Sequence, residues 1–503
     1  MSGQSHPIRW GLLILFVLTL LGTPASAQTD DPTPTQYLGF QVFTGSPSPN
    51  IPIGGDGAQP LAAPPSKAAL KQLVQEIVAQ IGNTGDQRHK LAFIVGPLAF
   101  DQTDAQLQQM VRDAFEIAVE LNIAVGFHID DSMFWARRSD LWHNPKNVEW
   151  VDWEGTPNTG RRIDWGPQPT KLAPQMCFNS APVQAEVTHL ANQAIGSSIQ
   201  QEVRKLISQG QSELFAGVIV GWETQIGQDY DTNQFLGYCA LSNLGFSRAN
   251  PPQNLDSERE RVVQNFIELW ASGIQQAGID PAKIYSHTAL LPQTVFDTMT
   301  TSGLTYSQAN HFAPPEVSFG VNFHPGFSTY PQTGLMEQLY DNFQKHGNPT
   351  WASAEGSTVD PATLENGVNP ETYLGWMFNH NATMVNIFGW GVGTQGENPF
   401  WEAAASPEAI DAYRKFLSGQ PLIEETTDLT SSVSGSLPEK IHTIQASLPT
   451  WLPNHADQQS KIEQLMSQLD QDVKAGNYQD AATTADTILS LIHQDLSENS
   501  PSG

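Results

Sequence analysis

At 503 residues the chain is too long for one ordinary core and suits one large domain with a smaller appendage. Asp and Glu number 52 against 24 Lys and Arg, and the resulting net charge of -28 repels nucleic acid and anionic membrane surfaces. Neither is expected as a partner, whereas a neutral or cationic one fits.

Residues 1–27 read as an export signal: Arg9 precedes an apolar run over residues 11–21, and Ala25-Ser26-Ala27 supplies the small residues that a signal peptidase accepts. Cleavage is expected after Ala27, which makes the mature protein secreted or periplasmic; an uncleaved N-terminal anchor is the alternative. No later segment reaches the roughly 20 apolar residues of a membrane helix, so no span is expected after cleavage. The two thiols, Cys177 and Cys239, would be free to pair in an oxidising compartment, and the sequence leaves open whether they do.

Residues 28–36 form a linker rich in Pro, Thr and Asp. Short apolar runs then alternate with longer amphipathic ones, the pattern of βα units around a parallel sheet. Strands are predicted at residues 37–44, 91–100, 123–129, 215–222, 283–287, 318–324, 350–354 and 384–390. Helices are predicted at 67–81, 105–121, 259–277 and 336–345, with poor periodicity between the fifth and sixth strands. Eight such units close a (β/α)8, or TIM, barrel over residues 37–420.

Chemistry in such barrels sits at the C-terminal ends of the strands. Glu223 follows the run AGVIVGW on strand four, and Glu355 follows PTWASA on strand seven. A single glutamate at a strand end is more simply a cap or an ion-pair partner. Two at strands four and seven supply what glycoside cleavage needs: one acid to protonate the leaving oxygen and one carboxylate to attack or to activate water.

The segment VIVGWETQIGQDYDTNQFLGYCALSNLGFS resembles the strand-four region of the clan A glycoside hydrolases, and family 42 β-galactosidases look nearest. The resemblance covers residues 37–419 and implies a retaining glycosidase in which Glu223 is the acid/base and Glu355 the nucleophile. Trp390, in NIFGWGVG, is similar to the aromatic that ends strand eight and stacks beneath the sugar in many clan members. Where the clan carries Asn before the acid/base, this chain has Trp222, which becomes a candidate for substrate contact.

His128, Asp130 and Asp131 in GFHIDDSMFW, His287 in YSHTAL and His324 in NFHPG are further polar residues at strand ends and could ring a sugar. Asp130 ranks first among them, since adjacent acids at a strand end are an unusual use of desolvated charge. Metal catalysis is not expected, because the first strand lacks the His pair of barrel metallohydrolases, and no cofactor is expected. The loop over residues 133–176 is rich in aromatics (Trp135, Trp142, Trp150, Trp153, Trp165) interleaved with Arg137, Arg138, Arg161 and Arg162. These are suited to a sugar subsite, with Trp135 as candidate, or to a small core of the loop's own.

Residues 421–436 form a second linker, and residues 437–497 form a small α-helical hairpin with stripes at Ile462, Leu465, Leu469, Val473 and at Ala482, Ala485, Leu489, Ile492. Packing or self-association is its modest reading. Three functions stay open: a retaining glycosidase acting on an oligo- or polysaccharide, an inverting barrel using the same two glutamates, and a non-catalytic carbohydrate-binding barrel.

Overall fold

The computed structural model describes residues 34–43, 60–163, 170–290, 315–330, 333–359, 364, 367–391 and 398–423, and with gaps 440–498. The expected export signal, most of both linkers and Trp165 lie outside the described residues. The chain divides into two compact units, Met1–Leu422 and Ile423–Gly503.

The first unit is a parallel (β/α)8 barrel. Its strands are β1 (Gln36–Phe43), β2 (His89–Leu98), β3 (Ala124–Ile129), β4 (Phe215–Val220), β5 (Ile284–Ser286), β6 (Gly326–Thr329), β7 (Trp351–Gly356) and β8 (Ala382–Ile387). They run in chain order around the sheet, with β1 beside β8. Between β5 and β6 the ring is closed by parallel bonds: Ser286 N donates to His324 O at 3.0 Å and Thr288 N to Gly326 O at 3.1 Å. Glycine is required at 326, because a Cβ there would lie 1.9 Å from Ser286 O.

The helices wrap this sheet with one apolar stripe each. In α1 (Lys67–Ile81) the stripe is Leu70, Val74, Ile77 and Ile81, between a Ser66 N-cap and a left-handed Gly82. α2 (Asp104–Leu121) starts with a capping box made by Thr103 and Gln106. α3 (Ala181–His189) passes through a π turn, Leu190–Gly196, into α4 (Ser197–Gln209). α5 (Leu255–Gln276), α6 (Thr333–Lys345), α7 (Pro370–Phe378) and α8 (Pro407–Leu417) follow in the coat among the described residues. One large cluster lies between strands and helices; a second, built from Tyr37, Ala92, Ile94, Ala124, Ala216, Ile219, Tyr285, Ala352, Ala354 and Met384, fills the lower barrel.

The sixth strand differs from expectation. The alternating run Phe319, Val321, Phe323 has the period of a strand, yet the chain there leaves a 3-10 turn (Pro315–Ser318), and Val321 is 90% exposed. The ladder that closes the barrel is the next segment, GFST, which turns Ser328 inward. The stretch between the fifth and sixth strands, residues 291–314, lies outside the described residues.

Above the barrel, Arg161–Ile163 pairs antiparallel with Thr170–Lys171 and with Gln228–Asp229. This ribbon ties the loop after β3 to the loop after β4. In the second unit, α9 (Gln459–Ala475) and α10 (Tyr478–Glu498) bury Ile462 and Leu469 against Ala481, Ala485, Ile488, Leu489 and Ile492. No described helix is long and apolar enough to cross a membrane.

Candidate active site

The mouth is built where the fully buried run FAGVIV of β4 ends. Gly221 N still bonds Ile129 O at 3.1 Å, but Gly221 then turns at φ 99 and Glu223 at φ 54. A left-handed glutamate costs about 1–3 kcal/mol, and such residues persist where their surroundings over-determine them. Here Thr224 fastens the turn: its N–H donates to His287 O at 3.3 Å and its hydroxyl to Asp131 Oδ2 at 2.7 Å. Opposite, the register of β7 shifts between Ser353 and Glu355, a bulge that re-aims the strand's last residues.

Glu223 and Glu355 are 6% and 9% exposed, so both sit inside the mouth and still open to it. Ser328 Oγ lies 3.0 Å from Glu223 Oε1, and the Tyr330 hydroxyl donates to Glu355 Oε1 at 3.4 Å. Burial first, and the Glu223 charge second, push the Glu355 carboxyl up to about 8. Tyr330 is pushed well above its ordinary value by burial, then by Glu355 and Glu223. Two like charges in one buried mouth oppose each other, which favours a single proton shared by the pair near neutral pH.

Beneath the pair lies a polar layer. His128 Nδ1 meets Gln41 Oε1 at 3.0 Å, and its Nε2 lies 3.0 Å from His287 Nδ1 and 2.9 Å from Gly221 O. His287 Nε2 reaches Ser328 Oγ at 2.8 Å. Burial lowers both imidazoles, His287 to about 3, so both are neutral. Trp222 stacks on His128 with ring centroids 4.1 Å apart at 11°, and Phe43 stands 6.0 Å from Trp222.

Asp130 and Asp131 are fully buried. Asp130 Oδ1 accepts from the amides of Ser132, Met133 and Phe134, which makes it a cap for the loop after β3 rather than an open sugar contact. Burial, and Asp131 beside it, push its carboxyl up to about 7.

Three other expected contacts are placed elsewhere. His324 precedes β6, at the N-terminal end of the barrel, where its Nδ1 meets Thr350 O at 2.9 Å at the start of β7. Trp390, 4% exposed, meets Phe40 edge-on at 5.1 Å and belongs to the layer between strands and helices. Trp135 is fully buried in the large cluster, its indole N–H donating to Pro174 O at 2.9 Å, so it anchors the loop to the main core. The aromatic from the end of β8 that joins the mouth is Phe388, 5.9 Å from Phe43.

Sequence reasoning also missed Gln41, Asn386, Ser328 and Tyr330. The first two stand at inward positions of β1 and β8, and strand parity would have found them. Glu149 was missed as well. It is buried and accepts from Cys239 N at 3.1 Å at the start of the short helix Tyr238–Asn243, where burial pushes it up to about 7. Cys177 and Cys239 are free thiols. Among the described residues no three His, Cys, Asp or Glu side chains are grouped as a metal ion requires.

The chain matches no family model. No curated protein matches it either. Among solved structures it is similar to the catalytic domain of a β-amylase from Paenibacillus polymyxa, at 8% identity and TM-score 0.41, over 75% of this chain and 99% of that one. An α-amylase from Geobacillus thermoleovorans, solved with acarbose, gives 13% identity and TM-score 0.35 over 76% and 77%. A glycoside hydrolase family 138 enzyme targeting pectin rhamnogalacturonan II gives 8% and 0.36, over 83% of this chain and 41% of that one. At such identities and scores none of these likenesses assigns a function.

Proposed function

We propose that the protein is an exported glycoside hydrolase that cleaves an oligo- or polysaccharide with Glu223 as acid/base and Glu355 as nucleophile, with retention of configuration. The observation that carries this reading is the pair itself: two nearly buried glutamates at the ends of β4 and β7, facing one mouth, with burial and the Glu223 charge raising the proton affinity of Glu355. Such a pair is one acid and one base at neutral pH, which is what the bond cleavage demands.

In the first step the acid gives its proton to the glycosidic oxygen as that bond breaks, and the ionised carboxylate forms an ester with the anomeric carbon. In the second step water attacks that carbon and gives its proton to the carboxylate formed in the first step, so both groups return to their starting states. The Tyr330 hydroxyl, donating to Glu355, stabilises its ionised form and orients it. Trp222 and Phe43 offer apolar ring surface beside the pair, as a pyranose face requires.

The test is chemical rescue after a screen of chromogenic glycosides. Glu355→Ala should abolish turnover and, with azide, give a glycosyl azide of inverted configuration. Glu223→Ala should keep activity on substrates with good leaving groups and give azide product of retained configuration. The opposite pattern exchanges the two roles. Full activity in either variant removes that glutamate from the mechanism, and an inverted sugar product from the unmodified enzyme defeats retention.

A further inference from the structure

The polar layer under the glutamates contains a continuous chain that the two-carboxylate reaction does not itself require. It runs from Glu223 Oε1 to Ser328 Oγ at 3.0 Å, on to His287 Nε2 at 2.8 Å, from His287 Nδ1 to His128 Nε2 at 3.0 Å, and from His128 Nδ1 to Gln41 Oε1 at 3.0 Å. All of its members are buried.

The far end of the chain sets its direction. Asn386 Nδ2 donates to Ala354 O and to Gln41 Oε1, both at 2.8 Å, so the Gln41 oxygen is the atom that faces His128. His128 Nδ1 must then carry a hydrogen. Burial keeps this imidazole neutral, so it has only that one hydrogen; Nε2 accepts, and the donor that reaches it is His287 Nδ1. His287 Nε2 therefore accepts the Ser328 hydrogen. Ser328 Oγ, its hydrogen used, can only accept from Glu223 Oε1, which must hold a proton.

One other arrangement fills these contacts and also the one that the first leaves unmade, from His128 Nε2 to Gly221 O. Gly221 O, 2.9 Å from His128 Nε2, is ready to accept a second imidazole hydrogen. To reach it, Glu223 Oε1 gives its proton to Ser328 Oγ, Ser328 passes its own to His287 Nε2, and His287 Nδ1 passes its own to His128 Nε2. Three bonds to hydrogen break and three form, leaving a Glu223 carboxylate and a His128 imidazolium with no change in net charge. Burial and the neighbouring His287 oppose that charge. Glu223 is also faced by Glu355 from β7 and by Tyr330 after β6, while Thr224 leads to Asp131; none of these is a link in the chain.

We propose that Ser328, His287 and His128 are positioning residues that hold the resting proton on Glu223, leaving Glu355 ionised, and that His128 is a further place, besides Glu355, to which this proton can go. The inference rests on the glycosidase reading for its kinetic consequence but not for its geometry. It also resolves the pair: burial and Glu223 draw a proton toward Glu355, and the direction of the chain decides for Glu223.

Nitrogen NMR of the full chain labelled at histidine tests the geometry without any substrate. Both His128 and His287, assigned through His128→Gln and His287→Gln, should be neutral with hydrogen on Nδ1 near pH 7. A neutral Nε2-protonated form or an imidazolium at either overturns the proposal. For the kinetic part, Ser328→Ala should move the alkaline limb of kcat/KM to lower pH. It should also cost roughly 10-fold or more on glycosides that need protonation but only a few-fold on activated ones, and Ser328→Thr should restore the wild-type profile. An equal loss at every pH and on both substrate types overturns the proposal in favour of a packing role. Absence of any glycoside turnover by the unmodified protein would sink the glycosidase reading while leaving the NMR result to judge the chain.

Discussion

Replacing Glu355 with Gln should stabilise the barrel at alkaline pH and leave it unchanged at acid pH. In the folded protein the proton that this carboxyl shares with Glu223 is held up to about 8 by burial and by their like charges, against 4.5 for the free group. Between those values the folded chain binds a proton that the unfolded chain has lost, so stability falls as pH rises through the window and the full cost is present above it. The midpoints differ by about 3.5 pH units at about 1.4 kcal/mol each, a ceiling of about 5 kcal/mol. Because the titration belongs to the pair, roughly half should be recovered when one member is removed, about 2–3 kcal/mol. With unfolding entropy of about 2.1 cal/mol/K per residue over the roughly 390 residues of the barrel, that corresponds to about 3 °C in Tm. Gln keeps an oxygen for the Tyr330 hydroxyl and matches the carboxyl in shape. The buried histidines, which bind protons more readily when unfolded, act alike in both proteins and cancel. Calorimetry of both proteins from pH 5 to pH 9 should show a Tm difference opening from zero in favour of Glu355→Gln. A variant less stable than wild type at pH 9, or a difference that ignores pH, would refute the placement of this carboxyl.

Two further substitutions separate packing from the mouth. Trp390→Ala should cost about 3–5 kcal/mol in denaturant unfolding and leave KM unchanged, whereas Phe388→Ala should raise KM with a smaller stability loss; a large KM change in Trp390→Ala would return that ring to the substrate. Gly326→Ala should prevent folding, because its Cβ would lie 1.9 Å from Ser286 O, while Gly210→Ala, with nothing within 4 Å, should cost only the left-handed penalty of about 1–2 kcal/mol, and soluble expression with circular dichroism checks both.

Seven of the eight strands were legible because buried parallel strands are continuous apolar runs, and AGVIV or LAFIV cannot be placed anywhere but a core. The sixth was not, since the strand that closes this barrel is four residues long and turns a serine hydroxyl inward, while a better alternating pattern lies just before it. For the same reason Ser328 was invisible: a serine in a presumed loop gives no signal until its strand is known. Glu223 and Glu355 were legible from position alone, as acids directly after core runs. Trp390 misled through parity, since Phe388, two residues earlier, shares the mouth while Trp390 lies beyond the end of the strand and turns outward. Trp135 misled because an aromatic-rich loop of this length also needs anchoring, and this ring ties it to the main core.

The ribbon above the barrel has a consequence for how this protein can vary. Asp229, on the loop after β4, accepts from Thr159 N at 2.8 Å on the loop after β3 and from Thr232 N at 2.9 Å on its own loop, and the ladder that pairs Arg161 with Asp229 and Arg162 with Gln228 joins the same two segments. Insertions or deletions in one loop would shift the register of the other, so the two must change length together in any descendant that keeps the ladder. Over β3 and β4, novelty should therefore arise by replacing side chains on a shared frame rather than by lengthening either loop alone.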